Sequence, residues 1–86
     1  MPEISRFFGI SIKIFYGDHL PPHFHAWYGE HKGVVDIQAL VMIGGHLPPR
    51  ALGMVIEWAM QHQGELLDLW ERAANKQALY RVPPLE

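Results

Sequence analysis

Three of the six histidines fall within seven consecutive positions, in the run Asp18-His19-Leu20-Pro21-Pro22-His23-Phe24-His25-Ala26-Trp27-Tyr28. Histidine titrates near neutral pH and is the commonest metal ligand, and an adjacent carboxylate adds an oxygen donor. The chain has no cysteine, so neither a thiolate site nor a disulfide framework is available. Two chemistries follow from this run. As a metal site, His23 and His25 share one face of a strand and supply two ligands to a divalent cation, with Asp18 or His19 as the third. As an acid–base site, the same imidazoles move protons while Arg6 or Lys13 holds an oxyanion or phosphate, which makes His23, His25 and Arg6 the candidate catalytic set. A third reading is a non-catalytic module that docks a partner protein through Trp27 and Phe15. The plainest alternative is that Pro21-Pro22 stiffens a turn and the imidazoles simply bond to backbone groups.

The remaining composition narrows the setting. Eighty-six residues make a single domain over positions 1–86, with a diameter of roughly 30 Å. Apolar residues are 49% and charged ones 19%, enough for a core and too apolar for disorder. The formal charge of -2 argues against a free-standing nucleic-acid binder but leaves room for a local basic patch. The opening residues lack a basic start followed by an apolar run, and no stretch has the length of a membrane span. The expectation is a cytoplasmic protein with no membrane association.

The elements that must position these residues follow from periodicity. Alternation from Ile4 to Tyr16 predicts one strand, with Arg6 the only charge in its apolar series and a bulge at Gly9 as the variant. Gly17 to Pro22 is a turn, His23 to Tyr28 a second strand, Gly29 to Gly33 a second turn, Val34 to Ile37 a third strand, and Ala39 to Ile43 a fourth. Lys32 and Asp36 are expected as a charged pair at the surface. Gly44 to Pro49 ends the sheet, with Pro49 suited to the first helical position. Leu52, Val55, Ile56, Ala59, Leu66, Trp70 and Ala73 recur at helical spacing, with an interruption at His62-Gln63-Gly64 and a stop at Asn75. Read unbroken, that segment is about 26 residues and roughly 39 Å long, more than the domain's diameter. Either it bends near Gly64 or its overhang forms a homodimer through the C-terminal helix. Arg50 in the first turn runs against the helix dipole and hints at an anion nearby. Ala78 to Val82 is a short strand-like run suited to a sheet edge. The fold class is therefore α+β, a small antiparallel meander of three to five strands with one long or broken C-terminal helix.

Register decides where the histidines point. If Tyr16 pairs with His23, the histidines fall among isoleucines; one residue of slip puts Phe24, Ala26 and Tyr28 there instead. The apolar match favours the second register, in which His23, His25 and Trp27 share a face with Ser11, Lys13 and Phe15. Asp18, His19, Lys13, Trp27 and Arg50 are then the candidate binding residues.

The chain also resembles a bacterial domain-of-unknown-function family, number 4160. The likeness rests on Met1 to Ile10, Asp18 to His25, Leu47 to Arg50, Glu57-Trp58 and Glu65 to Trp70. Gly64 departs from the charged residue expected in many relatives, which favours a helix break. Some members are described as toxins of two-component toxin–antitoxin modules. The resemblance therefore implies a bacterial protein, the toxin component of a type II module, bound by a small antitoxin-like protein. It transfers no catalytic mechanism.

Overall fold

In the computed structural model, residues 3–86 are described. Met1 and Pro2, which open the first motif, lie outside the described residues. Five strands, β1 (Glu3–Phe7), β2 (Ile10–Lys13), β3 (His23–Tyr28), β4 (His31–Asp36) and β5 (Met42–Gly45), form one antiparallel meander in chain order. Two helices, α1 (Pro49–Gln61) and α2 (Gln63–Ala74), follow. The α+β architecture is thus the expected one.

The first strand differs from its expectation. Phe8 and Gly9 both adopt positive φ, 49° and 79°, and Phe7 pairs with Ile10. These are the marks of a two-residue hairpin turn of the primed type, so Ile4–Tyr16 is a hairpin and not a single bulged strand. The hairpin leaves Arg6 opposite Ser11, away from Ile10 and Ile12, and the ladder's irregularity lies between Glu3 and Ser5 rather than at Gly9. The second turn is likewise shorter than expected. Tyr28 pairs with His31, which leaves only Gly29-Glu30 in the loop and places His31 and Lys32 in β4.

Between β4 and β5 the chain turns through residues 37–41. Asp36 Oδ1 accepts from the backbone N–H of Gln38 and Ala39, and Leu40 takes positive φ. This aspartate-capped turn consumes Ala39 and Leu40, so the last strand starts at Met42 and runs into Gly44-Gly45. Glycine is required at Gly45, where a Cβ would collide with the Lys32 carbonyl. Asp36 is therefore engaged in the turn, and the expected pair with Lys32 does not form among the described residues.

The helical segment breaks at His62, which ends α1 and precedes α2. Gln63 anchors the break by donating to the carbonyls of Ile37 and Gln38. The molecule measures 33 × 25 × 22 Å, shorter than the unbroken helix would be. With the break the overhang vanishes, and so does the reason to expect a homodimer through that helix. Pro49 opens α1 and Asn75 closes α2, both as expected.

The core forms between one face of the sheet and both helices. Ile10, Ile12, Ile14, Phe24, Ala26 and Val35 pack with Val55, Trp58, Ala59, Leu66 and Leu69, all without measurable exposure. Trp58 is central, touching the rings of Phe7 and Phe24, and its indole N–H donates to the Pro83 carbonyl. That bond and another from Val82 N–H to Ile4 O lay the tail beside β1, although the tail forms no regular strand.

Candidate functional site

The β2–β3 ladder pairs Ile12 with Ala26 and Lys13 with His25, the register favoured by apolar matching. Alternation then sends His25 and Trp27 to the face opposite the isoleucines, beside Ser11 and Lys13. The loop from Ile14 to Pro22 closes over the start of β3 and brings Asp18 to the histidines.

Asp18 Oδ2 lies 2.8 Å from His23 Nε2 and 3.1 Å from His25 Nε2. Its other oxygen, Oδ1, accepts the His19 backbone N–H at 3.1 Å. His23 Nδ1 lies 2.7 Å from the Pro21 carbonyl oxygen, which can only accept, so this nitrogen carries a proton. Both His23 nitrogens therefore face acceptor oxygens. Two states satisfy that arrangement: an imidazolium that donates to Pro21 and Asp18 together, or a neutral imidazole whose bare Nε2 shares a cation with Asp18. In the second state the Pro21 carbonyl is the outer partner that metal-bound histidines characteristically have.

Aromatic rings hold both imidazoles in place. His23 lies 4.9 Å from the Trp70 ring and His25 4.7 Å from that of Phe15, with 5.3 Å between the two imidazoles. Side-chain exposures of 10% for His23, 21% for His25 and 24% for Asp18 describe a partly sheltered cluster that solvent still reaches. Burial is the largest single influence on the Asp18 carboxyl and opposes its ionisation. Hydrogen bonds from His25, the His19 N–H and His23 together outweigh it and hold the carboxyl below its ordinary value. Asp18 is therefore a carboxylate at neutral pH, as a ligand or charge partner must be.

One donor atom from each of Asp18, His23 and His25 lies within 4.8 Å of the others, the one such group of three among the described residues. Two nitrogens and a carboxylate oxygen from three protein groups match the donor set of open metal sites, which leave further positions to water or substrate.

The other residues named from the sequence are distributed differently. The His19 side chain is exposed and outside the group; its contribution is the backbone N–H. Lys13 sits directly across from His25, and its ammonium lies 3.8 Å from the Trp27 ring centroid. Arg6 is two strands from His25 and ion-paired with Glu3 at 3.0 Å. Arg50 lines a separate groove with Phe8, Tyr28 and Met54. Sequence reasoning missed Lys32, whose ammonium lies 4.3 Å from the same Trp27 ring, and Trp70 as a wall for His23. Lys32 could have been found by reading Gly29-Glu30 as a two-residue turn, since that register sets it opposite Trp27. Trp70 has no comparable local signal.

Fold and site together define a small sheet-and-helix domain with an aspartate–histidine cluster at the start of its central strand. The chain belongs to the family described as Domain of unknown function (DUF4160), whose model matches residues 9–71. Those residues contain the whole Asp18–His25 segment. Comparison with curated proteins and with solved structures returns no match.

Proposed function

We propose that the working centre of this protein is a divalent-metal site formed by Asp18, His23 and His25. The observation that carries the reading is the His23 ring, whose Nδ1 is held by the Pro21 carbonyl while Nε2 meets the carboxylate that also meets His25 Nε2. A metal between these atoms gives both Nε2 atoms and the Asp18 carboxylate a partner with the histidines neutral. Tetrahedral ligands at about 2.0–2.1 Å from zinc are roughly 3.3 Å apart, so the two contacts to Asp18, 2.8 and 3.1 Å, widen by about half an ångström or less. All three donor atoms already lie within 4.8 Å of one another. Metal analysis of protein purified without a histidine tag tests this. Near-stoichiometric metal that falls away in Asp18→Asn and His23→Gln is the expected result; substoichiometric zinc, iron, nickel and manganese in the parent protein refutes it.

At the level of the cell, we propose that the chain is the toxin component of a type II toxin–antitoxin module, held inactive by a small antitoxin. The family resemblance supports this role, and the sheltered cluster supplies a site at which such activity would reside. Induced expression with and without the neighbouring gene tests it. A growth defect relieved by the neighbour and by His23→Ala/His25→Ala is expected. No defect would refute the toxin role; a defect that survives the double substitution would clear the cluster of it.

A further inference from the structure

We infer that Lys13, Trp27 and Lys32 form a phosphate-binding site beside the Asp18–His23–His25 cluster, so that the ligand it takes carries a phosphoryl group. This rests on the reading of that cluster as the working centre. Lys13 reaches Trp27 from β2 and Lys32 reaches it from β4, with their ammonium groups 3.8 and 4.3 Å from one ring centroid. The two charges thus stand at most about 8 Å apart, within one Debye length at physiological salt. The ring's negative face attracts each ammonium, but it carries no net charge to cancel their mutual repulsion.

No carboxylate among the described residues forms an ion pair with either lysine, and those close to them in the sheet are already committed. Glu3, opposite Lys13, accepts from Ser11, Arg6 and Arg81. Asp18 takes both histidines, and Asp36 caps the turn after β4. Lys13 is also only 5% exposed, with its ammonium held over the Trp27 ring. A buried lysine stem placed across from His25 is a costly position for a charge that serves nothing. Glu30, in the exposed turn before β4, makes no ion pair with either lysine, which leaves the two ammonium groups open to a counter-ion from outside the chain.

A phosphoryl group suits the site better than a carboxylate. It presents several oxygens and more than one negative charge, and it can meet separate ammonium groups while an oxygen extends toward His25. The shared chemistry is the phosphoryl oxyanion, whether of a free phosphate or of a phosphodiester.

Titration calorimetry on chelator-treated protein tests the inference, with inorganic phosphate and a ribodinucleotide as separate probes and acetate at equal ionic strength as control. Lys13→Met and Lys32→Met keep the side-chain stems, and circular dichroism with thermal melts confirms their folding. Saturable binding of either phosphate probe, weakened at least several-fold in each folded variant and absent for acetate, is expected. A preference for inorganic phosphate assigns a free phosphate ligand, and a preference for the dinucleotide a phosphodiester. Equal affinity in wild type and folded variants, equal binding of acetate, or no saturable binding overturns the inference. The experiment is repeated with metal, whose uptake is measured separately. Lysine-dependent binding without metal uptake would leave this site standing and remove the metal reading; metal uptake without phosphate binding would do the reverse.

Discussion

Loading Asp18, His23 and His25 with a divalent ion should raise the melting temperature of metal-free protein by an amount that follows from linkage. A ligand that binds only the folded state stabilises it by about 2.7 kcal/mol at a free concentration 100 times its Kd. For a chain of 86 residues, each kcal/mol moves Tm by roughly 4–8 °C, so the expected shift is roughly 11–22 °C. The three donor atoms already lie within 4.8 Å of one another, with 2.8 and 3.1 Å for the two Asp18–histidine pairs, so the folded state is partly organised for binding. The three ligands span only eight residues of chain, so gathering them in the unfolded state costs little, and any affinity of the unfolded chain for the ion brings the shift toward the lower end of that range. The assay is differential scanning fluorimetry of chelator-treated protein against zinc, nickel, manganese and ferrous iron. His25→Gln and Asp18→Asn should retain less than about a third of the shift, because two remaining donors hold a metal far less tightly. No shift with any of the four ions at about 1 mM, or an undiminished shift in both variants, would refute the assignment.

Three further outcomes follow from the fold. The Ser11 hydrogen bond leads the influences that lower the Glu3 carboxyl; burial opposes it, and Arg6 and Arg81 reinforce it. The folded state thus favours ionised Glu3, and this stabilisation is complete above the unfolded value of about 4.3 and fades as pH falls through the lower folded one. Glu3→Gln should therefore lower Tm at pH 7, with the gap closing in strong acid; melting curves that stay parallel down to pH 2 would sink that account. Phe8 is 62% exposed and sits at φ 49°, where asparagine is better suited, so Phe8→Asn should stabilise by about 0.5–1 kcal/mol in urea titrations. Trp58→Phe loses the bond to the Pro83 carbonyl and part of a buried ring, and should cost about 1–3 kcal/mol by the same measurement.

The hydrophobic pattern made the class of fold legible. Alternating apolar residues defined β3 and most of the meander, and Phe24 and Ala26 could match Ile10, Ile12 and Ile14 only in the register that sends His25 outward. Proline and asparagine marked the helix limits because their backbone chemistry is local. The turns were harder to read. A two-residue turn at Phe8-Gly9 lets apolar alternation run through it unbroken, so a hairpin resembles one long strand. The usual cue, asparagine or aspartate before glycine, is missing because phenylalanine holds that position. Asp36 was misjudged for a related reason: an aspartate that caps a turn and one that pairs with a lysine look alike until the N–H groups it meets are known.

By itself the sequence determined the ingredients of the site: Asp18, His23 and His25, a proline-stiffened loop, no thiols, and a strand parity that turns His25 and Trp27 away from the core. Tertiary structure alone decided their assembly. The loop's return put one carboxylate oxygen between two imidazoles, and α2 supplied Trp70 as a wall. It also set Arg6 and Arg50 apart from the cluster and drew Lys32 beside Lys13 at Trp27. The physical reason is one of range. Parity and capping act over a few residues and are written in local order, whereas a donor set depends on where a loop and a distant helix come to rest, which packing decides.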